Sequence, residues 1–199
     1  FSGSGFLDLG FETTGYKIAY VNEIFPPFMS AYRYSREKLN LPQPEYGYHE
    51  GEAADVSKLI AETPAQRLNE LVENSRKLNH IIGFIGGPPC PDFSIGGKNK
   101  GHLGENGKLS SAYVELICQN SPDFFLFENV KGLWRTTKHR LFFEELKIKL
   151  QQAGYLLTER LINSIEYGVP QDRDRIILIG FKDNFLKDMK IKDNFIFPW

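Results

Sequence analysis

The stretch Ile81-Ile82-Gly83-Phe84-Ile85-Gly86-Gly87-Pro88-Pro89-Cys90-Pro91-Asp92-Phe93-Ser94 decides how the chain is read. Its first five residues are an apolar run bounded by glycine, the pattern of a fully buried strand. Gly86 and Gly87 then allow a sharp turn, and prolines on both sides of Cys90 fix φ around it. The expected result is a thiol on a stiff loop at the carboxyl end of a buried strand, the edge at which open α/β sheets hold their ligands. Taken alone, the same residues also describe a Pro/Gly turn that happens to contain a cysteine. Two further stretches separate these readings.

Phe124-Phe125-Leu126-Phe127-Glu128-Asn129-Val130 is a second apolar strand with a carboxylate at its end. Glutamate is almost never fully buried without a partner. Glu128 is therefore a cap, a salt-bridge residue or a working acid. Tyr167-Gly168-Val169-Pro170-Gln171-Asp172-Arg173-Asp174-Arg175 precedes the strand Ile176 to Gly180. By itself it reads as a solvated charged turn. In this order and at this spacing, PPC, ENV and QxRxR resemble the DNA cytosine-5 methyltransferases, along nearly the whole chain. The resemblance implies an α/β fold, a Rossmann-like S-adenosylmethionine-dependent methyltransferase sheet that is mostly parallel with an antiparallel terminal hairpin.

Composition sets outer limits. A chain of 199 residues can bury one sizeable core. Charge is nearly balanced, 24 basic against 25 acidic residues, so composition does not announce a nucleic-acid binder. Cys90 and Cys118 are the only cysteines, which is no disulfide framework and fits a reducing compartment; the expected address is the bacterial cytoplasm. His49, His80, His102 and His139 are scattered without metal-ligand spacing, and no apolar run approaches a membrane span, so neither metal nor membrane is expected.

The opening Phe1-Ser2-Gly3-Ser4-Gly5-Phe6 is matched by the family's glycine turn, whose backbone approaches the methionine end of S-adenosylmethionine. Phe6 stands where the family usually has another glycine. Tyr16 to Glu23 reads as a strand ending in an acid. A carboxylate about 20 residues after a glycine turn is placed to accept hydrogen bonds from ribose hydroxyls. The resemblance thus assigns Phe1, Gly3, Gly5, Glu23 and Ile24 to the cofactor. Asp55 and Val56 are assigned to its adenine, and Pro89 and Leu109 also to its neighbourhood. Helices are expected from Ile24 to Leu39, Ala65 to Leu78, Leu109 to Gln119 and Lys138 to Ala153, the last ended by Gly154. Asn40 to Ala54 reads as a surface excursion, with only a poorly marked strand before Asp55. Ile95 to Lys108 holds five glycines and almost no apolar residues, and reads as a surface loop. In the family the matching segment closes over the target base.

The residue types suit the chemistry. Carbon 5 of cytosine is too weak a nucleophile to take a methyl group from a sulfonium. Addition of a thiolate, Cys90, to carbon 6 turns carbon 5 into an enamine carbon. Electrons move toward ring nitrogen 3, where an acid must donate, and Glu128 is that acid. Arg173 orients the ring carbonyl and supports Glu128, with Arg175 as its second partner. Pro88, Ser94 and Asn129 belong to the substrate loop, and Lys98 and Lys100 offer contacts to DNA phosphates. The target base must leave the duplex, as in methyltransferases generally.

Pro91 and Asp92 depart from the family's usual loop. The family's opening strand, target-recognition region and final asparagine motif are not among these residues. The expectation is therefore one cofactor-binding and catalytic domain over 1–199, incomplete, which does not methylate double-stranded DNA without a second chain or further segment. A member acting on transfer RNA and a catalytically silent regulatory homologue are the competing readings. All three key side chains are present, which counts against the silent one. A cysteine protease is disfavoured because no histidine occupies a comparable loop.

Overall fold

The computed structural model describes residues 1–89, 105–135, 137–190 and 197–199. The chain opens with a glycine turn into α1 (Phe6–Glu12), then β1 (Val21–Glu23), α2 (Pro26–Lys38) and β2 (Tyr48–Glu50). Short α3 (Val56–Leu59) and long α4 (Glu62–Lys77) lead to β3 (Gly83–Gly86). After α5 (Glu105–Asn120) come β4 (Phe124–Val130), α6 (Gly132–Arg135), α7 (Thr137–Gln152), β5 (Tyr155–Asn163), β6 (Asp174–Lys182) and α8 (Asp183–Asp188). The expected helices are all present, with bounds displaced by a few residues.

The strands form two sheets. β1 pairs in parallel with β2, and β3, β4, β6 and β5 lie side by side in that order. β3 and β4 are parallel, whereas β6 runs antiparallel to both β4 and β5. The β5–β6 connection is too short for a parallel crossover, so a hairpin is the outcome that the sequence dictates. Two expectations are corrected. Only Val21–Glu23 of the stretch from Tyr16 enters a ladder. The supposed excursion 40–54 contains β2, with Tyr48, His49 and Glu50 opposite Val21, Asn22 and Glu23.

The phenylalanine run of β4 is fitted to glycines across the sheet. Gly83 lies opposite Phe124 and Gly180 opposite Phe125. A Cβ on either glycine would stand 2.1 Å from the facing ring. The rings therefore cover bare backbone on the neighbouring strands, an aromatic–glycine pairing that pins register. Phe125 and Phe127 also join the main core with Tyr113 and Ile117 of α5 and Phe143, Leu146 and Leu150 of α7. Gly154, at φ +82°, ends α7 as anticipated.

α1 and α2 are joined by buried polar groups. The Tyr32 hydroxyl donates to Asp8 Oδ2 at 2.6 Å. Arg36, 3% exposed, donates to both oxygens of Glu12 at 2.8 Å and to the Pro42 carbonyl. A buried guanidinium is tolerated when its donors are satisfied in this way. Burial pushes the Asp8 carboxyl above the usual aspartate range, opposed by the Tyr32 hydrogen bond.

Candidate active site

At the cofactor end, Gly3 and Gly5 both have positive φ, +56° and +88°. Gly5 has a second reason to be glycine, because a Cβ would stand 2.6 Å from the Tyr32 ring. Beyond Gly3, where a Cβ would point, lies open space. Glu23, 6% exposed, is gripped at both oxygens: Gly3 N–H donates to Oε2 at 2.8 Å and Phe25 N–H to Oε1 at 2.9 Å. A carboxylate offers about four acceptor positions, so one lone pair on each oxygen is left for a vicinal diol. Bare turn backbone beside a fixed carboxylate fits the ribose and amino-acid parts of S-adenosylmethionine.

The other residues expected at this end are placed as follows. Phe1 packs edge-on against Tyr113. Ile24 is half exposed beside Glu23, next to the exposed pair Phe25 and Phe28. Asp55 caps α3, its Oδ1 accepting from Ser57 N–H at 2.9 Å and Ser57 Oγ–H at 2.7 Å. Those bonds hold its carboxyl below the usual aspartate range. Val56 is a core residue and Leu109 packs against the same core, so neither presents a free side chain.

At the other end, Glu128 is two rungs inside the β4–β6 ladder, opposite Ile177, rather than leaving the strand as the sequence suggested. Arg175 stands opposite Val130, two residues on from Glu128 and therefore on its face. The pair closes diagonally, Arg175 Nε to Glu128 Oε1 at 2.7 Å. Arg175 Nη1 donates to the Asp174 carbonyl at 2.7 Å. The support assigned by sequence to Arg173 thus falls to Arg175. Arg173 precedes the strand and is exposed, its carbonyl taken by Ser164.

Glu128 also has a neighbour that the sequence reading did not identify. Its Oε2 lies 2.7 Å from where a Cβ on Gly87 would be. The carboxylate therefore sits between a guanidinium and bare loop backbone. Asn129, expected to fix the substrate loop, is 2% exposed, and its amide is used inside the protein. Its Nδ2 donates to the Pro88 carbonyl at 3.2 Å and its Oδ1 accepts from Val130 N–H at 2.8 Å. It ties the loop to β4. Pro88 is buried and Pro89 exposed at the start of that loop. Cys90, Ser94, Lys98 and Lys100 lie outside the described residues. Among the described residues no group of three or more acidic, histidine or cysteine side chains gathers as a metal site. Nor, among them, is any helix long and apolar enough to cross a membrane.

The fold is that of an α/β methyltransferase. A solved prophage protein of E. coli, provisionally described as a DNA modification methyltransferase, superposes with a TM-score of 0.68 at 26% identity, over 100% of this chain and 49% of its own. The S. pombe Dnmt2 methyltransferase shares the fold, at TM-score 0.58 and 15% identity, with 49% of that chain covered. The profile of the C-5 cytosine-specific DNA methylases matches residues 1–198, and the chain belongs to that family. Among curated relatives, the Type II methyltransferase M.NmeDI of Neisseria meningitidis serogroup C is 60% identical over 91% of this chain and 42% of its own length. M.FnuDI of Fusobacterium nucleatum is 33% identical over 100% of this chain and 49% of its own length. The chain spans about half the length of the curated relatives it matches.

Proposed function

We propose that the chain is the cofactor-binding and catalytic part of an enzyme that moves a methyl group from S-adenosylmethionine to carbon 5 of cytosine in double-stranded DNA. Its setting is a Type II restriction–modification system in the bacterial cytoplasm. The observation that carries this reading is the Glu128 carboxylate, held by Arg175 and fitted against Gly87 where the PPC loop begins. The 60% identity to a Type II methyltransferase supports the biological setting.

Cys90 follows Pro89 directly, on the loop that Asn129 fastens to β4. Its thiolate adds to carbon 6 of the extruded cytosine, and Glu128 donates toward ring nitrogen 3. Arg175 spends its Nε on Glu128 and one Nη1 hydrogen on Asp174, which leaves Nη2 for the ring carbonyl. Glu23 takes the ribose hydroxyls, Gly3 and Gly5 the methionine end, and Asp55 with the backbone of Val56 the adenine edge. Bound S-adenosylmethionine supplies an electrophilic methyl group on a positively charged sulfur. Carbon 5 takes that methyl, gives its proton to a base, and the thiolate is expelled as the ring regains its aromaticity. Ser94 belongs to the loop at the flipped base, and Lys98 and Lys100 contact DNA phosphates.

The test is transfer of labelled methyl by the full protein to duplex DNA and, in parallel, to transfer RNA. Label on cytosine carbon 5 of DNA in one sequence context is expected. Label in RNA alone would overturn the DNA assignment and favour the transfer-RNA reading.

A further inference from the structure

Asp174 is the residue between the two arginines of the QDRDR turn, and it is bound from both neighbouring strands. Lys131 Nζ, just past the end of β4, donates to Asp174 Oδ2. Asn163 Nδ2, on β5, donates to Asp174 Oδ1 at 3.0 Å. Asn163 is itself fixed, since it also donates to Asp172 Oδ1 at 2.7 Å and accepts from Ile165 N–H at 3.0 Å. Register explains the meeting. Asn163 is opposite Asp174, and Lys131 follows Val130, which is opposite Arg175. The three side chains make one polar rung across β4, β6 and β5.

Side chains alternate along a strand, so this rung lies on the face opposite Arg175 and Glu128. Its influence passes through the backbone. The Asp174 carbonyl accepts from Arg175 Nη1 at 2.7 Å, while Arg175 Nε reaches Glu128 Oε1. The guanidinium is thus located by two points, one of which belongs to Asp174. A shift at the start of β6 would move both.

We propose that Asp174, clamped by Lys131 and Asn163, is a positioning residue that sets the Glu128–Arg175 pair from the far face of the sheet. This rests on the proposed cytosine chemistry. It adds a dependence that no contact with substrate requires. Arg135 adds positive charge nearby, and the hydrogen bonds from Lys131 and Asn163 hold the Asp174 carboxyl below the usual aspartate range.

The test uses Asp174→Ala, Lys131→Met and Lys131→Arg in the full protein, with single-turnover methylation, cofactor affinity, DNA affinity and melting temperature measured together. Misplacement of a catalytic group by about 1 Å costs up to about a hundredfold. Asp174→Ala and Lys131→Met should slow the single-turnover step by roughly ten- to a hundredfold while both affinities stay near the parent's, and Lys131→Arg should restore most of the rate. Lys131 is partly exposed, so its variant keeps the test sound if Asp174→Ala folds poorly. Parental rates in Lys131→Met, or losses of rate and both affinities in step with melting temperature, would overturn the inference. A parent protein without cytosine methylation would remove the functional reading itself, and this inference with it.

Discussion

Glu23 ends β1 and Glu128 lies near the end of β4, and the two carboxylates are held by different means. Glu23 is held by two backbone N–H groups, one of them 20 residues away and the other two. Glu128 is held by the Arg175 side chain across an antiparallel pairing and by the absence of a Cβ at Gly87. Backbone donors persist whatever side chain is present. Glu23 is therefore insulated from changes around it, while Glu128 depends on distant residues. The hydrogen-bond count also differs. Glu23 has donors on both oxygens, whereas one oxygen of Glu128 faces the loop and substrate side.

Breaking the catalytic end should have the largest effect. Glu128→Gln keeps the shape but changes what the group can donate and accept. Proton transfer by a placed side chain is worth about 10²–10⁴ in rate. Single-turnover methylation should fall by that order with DNA affinity little changed, and an equal loss in affinity would contradict the assigned role.

Gly87→Ala probes the same end from the loop. The added methyl meets Glu128 Oε2 at 2.7 Å, and the carboxylate can yield only by loosening its pair with Arg175. A rate loss of up to about a hundredfold is expected. The comparison is Gly3→Ala, where no atom stands in the way but φ is +56°. There the expected cost is about 1 kcal/mol of stability from backbone strain, read by denaturant titration, and weaker cofactor binding because the methyl enters the space assigned to the methionine end, with the single-turnover rate at saturating cofactor kept. Equal rate losses in the two variants would erase the distinction between the two ends.

Glu23→Ala removes the ribose acceptor and leaves Gly3 and Phe25 N–H unpaired. A hydrogen bond to a charged group is worth about 1.5–3 kcal/mol, so cofactor affinity should weaken roughly tenfold to a hundredfold. Calorimetric titration giving the parent's affinity would remove Glu23 from the cofactor site.

Asp55→Ala should have the smallest effect, about 1 kcal/mol for a lost helix cap. The Ser57 bonds lower the folded pKa of Asp55 below its ordinary 3.8. Its contribution is therefore full above that value and is lost as pH falls through the lower folded one. The stability gap between parent and variant should be present at pH 7 and narrow in acid. A gap that widens in acid would reverse the assigned cause.

The two ends also differ in how far the sequence revealed them. Glu23 was legible because its partner, a glycine turn, lies at a fixed short distance along the chain. Glu128 was legible as a strand-end carboxylate that needs a partner, but Arg175 as its direct partner was not. Arg173 and Arg175 share strand parity, and only the Phe125–Gly180 register decides which of them enters the ladder. Gly87 looked like a turn residue, and its fit against Glu128 needs the strand beside it. Asn129 was legible as a residue that fixes the loop, and it does so from a buried position by its bond to Pro88. β2 was missed for a different reason. Tyr48-His49-Glu50 has no apolar run, and its pairing comes from β1. Arg36 and Glu12 lie 24 residues apart, and nothing in the sequence marks them as the buried pair that the fold makes of them.

The most direct test of the central claim uses the full protein, the cofactor and duplex DNA carrying 5-fluorocytosine at the target position. Fluorine on carbon 5 cannot leave as a proton does, so the enzyme should be trapped as a covalent adduct. Peptide mass mapping should find that adduct on Cys90, formed slowly in Glu128→Gln and absent in Cys90→Ala. An adduct that persists in Cys90→Ala, or that maps to Cys118, would contradict the account.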